Sequence, residues 1–132
     1  MIYTCSSTNK TIELSENDIQ LLLTISGLGF VTASQFEMLY SVAIRRHKKP
    51  SQGMIKSWLG KGAPLNRLDL SKHKVGARNK VGYAVSYPFR RWAVSNGYAG
   101  KELLDAEPVA VNDHNIQAIE VVVQSLYSSC FE

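Results

Sequence analysis

Apolar residues recur at helical spacing up to Gly62 and alternate after Leu65, and that change of period constrains the fold more than any other feature of the chain. Ser15-Glu16-Asn17-Asp18 sets a capping hydroxyl three residues ahead of an acid. Ile19, Leu22, Leu23 and Ile25 follow at helical spacing, and Gly27 and Gly29 end the run, which predicts a helix over residues 16–27. Thr32-Ala33-Ser34-Gln35 repeats the capping pattern, and Phe36, Leu39, Tyr40 and Ala43 supply the apolar stripe of a second helix over 33–44. Pro50 interrupts it, because the residue before a proline avoids helical backbone. A short third helix is expected from Ser51 to Gly60 or Gly62, held by Met54, Ile55, Trp58 and Leu59.

Beyond that point Leu65, Leu68 and Leu70 alternate imperfectly, and Tyr83, Val85 and Tyr87 alternate strictly. The stretch between them, SKHKVGARNKVG, is polar, basic and glycine-bearing, with Gly76 and Gly82 suited to turns. Two strands around a basic tip make a β-hairpin. Pro88 then opens a helix with Phe89, Trp92 and Ala93 facing inward, closed by Asn96-Gly97. A loop containing Pro108 leads to a last helix, from Asn112 or Asp113 to Ser128.

Three helices, a hairpin and further C-terminal helical sequence are the layout of a winged helix-turn-helix domain, an α+β and mostly helical class. The expected organisation is a lead-in over 1–14, a winged-helix core over 15–98, and a C-terminal linker and helix over 99–132. At 132 residues the chain is long enough to bury a core without staples.

Charge is sorted along the chain in a way that matches this layout. Thirteen of the fifteen Lys and Arg lie between residues 45 and 91 together with one acid, Asp69, whereas ten acids and two cations occupy the rest. A surface with no polyanionic partner normally mixes its signs. The expected partner is double-stranded DNA. The third helix and the turn before it offer Arg45, Arg46, Lys48, Lys49, Ser51, Gln52, Lys56, Ser57 and Lys61. The hairpin wing offers Arg67, Lys72, His73, Lys74, Arg78 and Lys80. Phosphate contacts from the cations give affinity, while Gln52 suits an adenine edge and Lys56 a guanine edge. A winged helix docking on an acidic protein, and an RNA or single-strand binder, remain as alternatives.

Ile116, Ile119, Val123 and Leu126 repeat at alternating steps of three and four on the last helix. Such a seam suits a homodimer interface or packing on the first helix of the same chain. An enzyme is not expected. His47, His73 and His114 lie far apart, and no HExxH, CxxC or phosphate-cradling glycine motif is present. No metal or other cofactor is implied. No apolar run reaches membrane-spanning length, and Cys5 and Cys130 fit reduced thiols better than a terminal clasp. The expected setting is cytoplasmic.

SENDIQLLLTISGLGFVTASQFEMLY, followed by a basic helix ending in WLGKGAPL, is similar to the N-terminal winged helix of the replication-relaxation family. That family includes relaxase-accessory proteins of mobilisable plasmids. Its opening pattern, (S/T)xxDxxLLxxL then (V/T)xxQLxxL(Y/F), is matched by Ser15, Asp18, Leu21, Leu22 and Ile25, then by Thr32, Gln35, Phe36, Leu39 and Tyr40. VAVNDHNIQAIEVV, residues 109–122, resembles the family's later VND helix start, although Glu107-Pro108 stands where a histidine is common. The resemblance implies DNA binding in the replication, transfer or regulation of a plasmid or mobile element, alongside a second protein of that system.

Overall fold

Two reciprocal capping boxes set the frame. In the computed structural model, which describes residues 1–5 and 7–132, Ser15 Oγ accepts from Asp18 N–H and the Asp18 carboxylate accepts from Ser15 N–H. These bonds start α1, Glu16–Leu28. Thr32 and Gln35 exchange the same pair of bonds, fully buried, to start α2, Ala33–Ile44. Each box satisfies two helix-start donors that would otherwise be orphaned. α1 ends at Gly29, whose φ of 97° is backbone that a side chain resists.

Beyond α2 lie α3 (Gln52–Trp58), β4 (Leu65–Asp69), a 3-10 turn (Ala77–Asn79), β5 (Val81–Val85), α4 (Tyr87–Ser95), α5 (Glu102–Asp105) and α6 (Asp113–Phe131). A two-residue strand, β3 (Val31–Thr32), completes a three-stranded antiparallel sheet in the order β3-β5-β4. Leu65 faces Val85, Arg67 faces Tyr83, and Thr32 faces Gly82. Gly82 is therefore a strand residue and not a turn glycine. A Cβ there would stand 2.6 Å from the Val31 carbonyl oxygen and 2.7 Å from Leu70 Cδ1, so the sheet closes only around glycine. The chain is α+β with small antiparallel sheets.

The segment expected as a lead-in is structured. β1 (Ile2–Thr4) and β2 (Thr11–Glu13) form an antiparallel hairpin that opposes Tyr3 to Ile12. Tyr3, Cys5, Ile12 and Leu14 are buried. The Tyr3 ring lies 5.9 Å from Phe89 and 5.6 Å from Trp92, which fastens the hairpin to α4. Its hydroxyl donates to the Gly62 carbonyl at 2.6 Å.

Other expectations shift as well. Tyr87 opens α4 and is half exposed; it does not continue the strand. The linker before α6 contains the short α5. α6 packs on α2, not chiefly on α1. Ile116, Ile119 and Val123 are buried in the same cluster as Tyr3, Phe36 and Phe89, so these three do not form an exposed dimer seam; Leu126 keeps 38% of its surface. One core draws residues from position 3 to position 123. Cys5 and Cys130 are both free thiols.

Candidate nucleic-acid interface

α3 is held from its inner side. Ser51 caps it by accepting from Met54 N–H at 3.1 Å, and Trp58 is buried edge-on against Phe36 of α2, with ring centroids 6.4 Å apart. Phe36 in turn lies 5.3 Å from Tyr83 on β5, so one aromatic chain joins α3, α2 and the sheet. Met54, Ile55 and Leu59 are half-buried beside it, while Gln52, Gly53 and Lys56 are exposed. The helix stops at Trp58, because Leu59 is extended and bridges to Leu65. Lys61 therefore lies in the turn after α3 and not on it; it too is exposed. Ser57 spends its hydroxyl on the Met54 carbonyl at 2.7 Å, within its own helix.

Arg45, Arg46, Lys48 and Lys49 are all exposed on the turn between α2 and α3. The turn is fixed at three points. Arg45 closes α2 in the left-handed region, with φ 55° and ψ 40°. Ser41 Oγ donates to the Lys48 carbonyl at 2.8 Å. His47 stacks on Phe131 with centroids 4.0 Å apart, and its Nδ1 lies 2.9 Å from the Tyr127 hydroxyl. The far end of α6 thus anchors the basic turn.

The loop between β4 and β5 is folded back and tied down. Asp69 accepts from Ser71 N–H at 2.9 Å at the base of the loop. The hydrogen bonds from Ser71 hold its carboxyl below the usual range, with Lys72 and Arg67 adding to the effect. Asn79 Oδ1 accepts from Ser34 N–H at the start of α2. Arg78 donates to both oxygens of Glu37, at 3.2 and 3.0 Å, and His73 Nδ1 lies 3.1 Å from Asp113, which also accepts from Lys74 N–H. Arg78 and His73 therefore have carboxylate partners of their own. Lys72, Lys74, Lys80 and Arg67 stay exposed and make no ion pair among the described residues.

The turn and the β4–β5 loop meet along α2. Lys48 and Lys49 at one end and Arg78 at the other line a cleft of about 430 Å³ over its outer face, with Glu37 between them. Lys10, outside the basic stretch of sequence, donates to the Ser57 carbonyl at 2.9 Å and brings a further cation to the C-terminal end of α3. No spacing in the sequence announces Lys10, Glu37 or the His47–Phe131 stack, which join residues 41 or more positions apart. No cluster of three or more His, Cys, Asp or Glu able to hold a metal occurs among the described residues.

Comparison with protein-family models, with curated proteins and with solved structures gives no match for this chain.

Proposed function

We propose that the chain is a winged helix-turn-helix protein that binds double-stranded DNA sequence-specifically. In this reading it acts as a transcriptional regulator or as an accessory factor in plasmid or mobile-element replication or transfer. α3 is the recognition helix, and the β4–β5 pair with its loop is the wing. The observation that carries the reading is the pairing of topology with charge. The order α1-β3-α2-α3-β4-β5 closes a β3-β5-β4 sheet beside three helices, and the exposed cations gather on the α2–α3 turn and the wing. The seven residues of α3 span about 10 Å, which suits a major groove about 12 Å wide. Gln52 and Lys56 are its outward-facing base readers, and Lys48, Lys49, Lys72, Lys74 and Lys80 supply phosphate contacts.

Fluorescence anisotropy with duplex DNA, single-stranded DNA and RNA at ~50 and ~200 mM salt tests it. If about six cations engage phosphate, log K falls against log[salt] with a slope of roughly −5 on duplex. Selection from a random duplex pool then yields a preferred site. Lys56→Ala flattens that preference, and Lys74→Ala weakens all sequences alike. A slope near zero, or no duplex binding, rejects the proposal.

A further inference from the structure

A second cavity lies against the sheet at Leu68, Ala84 and Val85. It measures about 700 Å³ and is bounded by the end of α1, by β4 and β5, by α4 and α5, and by the segment leading to α6. Leu23, Phe30, Leu68, Ala84 and Val109 give it apolar walls. Val109 reaches across from the linker onto Gly29, where a Cβ would come within 2.5 Å of it. Asn115 holds that linker by donating to the Ala110 carbonyl at 2.8 Å. A volume of this size falls within the range that encloses small organic ligands, about 300–1,000 Å³.

One cation lines these walls. The Arg90 guanidinium sits 5.4 Å from the Tyr87 ring centroid and forms no ion pair among the described residues. Its Nε is buried and has no hydrogen-bond partner among the described residues. Arginine stays charged in proteins, and a buried donor without an acceptor is costly. Glu102 and Glu107 also line the cavity, yet neither is paired with Arg90. Two nearby acids disfavour a ligand of high negative charge, whereas the unpartnered guanidinium favours a single carboxylate.

We infer that this cavity binds an amphipathic monocarboxylate, with its apolar body against Leu23, Phe30, Leu68 and Ala84 and its carboxylate on Arg90. The inference stands on the cavity and on the buried, unpartnered Arg90 Nε, independently of any DNA binding. Tyr98 lines the same cavity and stacks on Trp92 at 5.6 Å, so occupancy has an intrinsic fluorescence readout.

The full chain is titrated with decanoate below its micellar range and with 1-naphthoate. Decan-1-ol and naphthalene serve as uncharged counterparts, and calorimetry and tryptophan emission are followed. At least one acid is expected to bind one-to-one and at least ten-fold more tightly than its uncharged counterpart. Arg90→Gln should erase that difference, and Ala84→Trp, which fills the cavity but keeps Arg90, should weaken the acid ten-fold or more. Binding of neither acid, equal binding of acid and uncharged counterpart, or undiminished acid binding by a folded Arg90→Gln overturns the inference. Should Arg90→Gln fail to fold, Ala84→Trp decides: unchanged acid binding there also overturns it.

Discussion

Arg45 and Tyr3 show how single residues carry opposed demands. Arg45 occupies left-handed backbone, φ 55°, which costs a residue with a Cβ about 1–2 kcal/mol relative to glycine. Asparagine or glycine is the usual solution at a helix end. In the proposed role, the charge of Arg45 on the basic turn offsets that backbone cost. Arg45→Gly is expected to raise stability by up to about 1 kcal/mol and to lower duplex affinity several-fold, by chemical denaturation and anisotropy. Affinity retained in that variant excludes Arg45 from the interface. Tyr3 concerns the core instead. Burial, with Cys5 adding to it, pushes its phenol from 10 up to about 12. The folded chain thus favours the neutral phenol, so this contribution is complete below pH 10 and is lost as the pH rises towards about 12. Melting temperature should fall across that window in the parent chain and fall less steeply in Tyr3→Phe. Equal slopes in the two proteins would show that Tyr3 ionises freely.

Among the elements, the helices with explicit start signals were legible and the smallest strands were not. Ser15–Asp18 and Thr32–Gln35 each bring donor and acceptor within three residues, so local sequence determines where α1 and α2 begin. β1 and β2 are three residues each and β3 only two, too short to display a period. Their existence depends on Tyr3 meeting Phe89 and Trp92, and on Val31 meeting Tyr83, across distances in sequence that no local pattern records. The same holds for the β4–β5 loop. Its cations are visible in the sequence, but the Arg78–Glu37 pair that restrains it is not. This tether gives the loop a testable property. Exposed ion pairs contribute about 1 kcal/mol or less to stability, so Glu37→Gln should leave the melting temperature nearly unchanged. Under the proposed DNA-binding role, the same variant frees Arg78 for phosphate and removes a negative charge from the cleft beside Lys48 and Lys49. Duplex affinity should rise about three- to ten-fold, with a salt slope steeper by roughly one contact. Unchanged affinity and salt slope would place Arg78 and its cleft away from the nucleic acid.

At the scale of the whole molecule, the two ends of the chain close the core that the middle begins. The N-terminal hairpin covers α4, and α6 lies along α2 from Gln35 at one end to His47 at the other. Gln35 shows the coupling in one side chain: its Oε1 accepts from Thr32 N–H, while its Nε2 donates to Glu120 at 3.1 Å and to the Ile116 carbonyl at 3.4 Å. The three-and-four spacing on α6 was readable, but sequence spacing cannot say whether a stripe meets its own chain or a second copy. Burial of Ile116, Ile119 and Val123 assigns most of it to the former. Ile119→Ala should therefore cost about 2–5 kcal/mol, the range for a buried isoleucine truncated to alanine. Because the lost contacts are intrachain, the decrease in melting temperature should be the same at every protein concentration. If the parent's melting temperature instead climbs with concentration, and that dependence disappears in Ile119→Ala, the residue sustains a dimer. α6 would then have to leave α2 to form it, breaking the bonds of Gln35 to Glu120 and Ile116 and bringing the His47 anchor of the basic turn away with it.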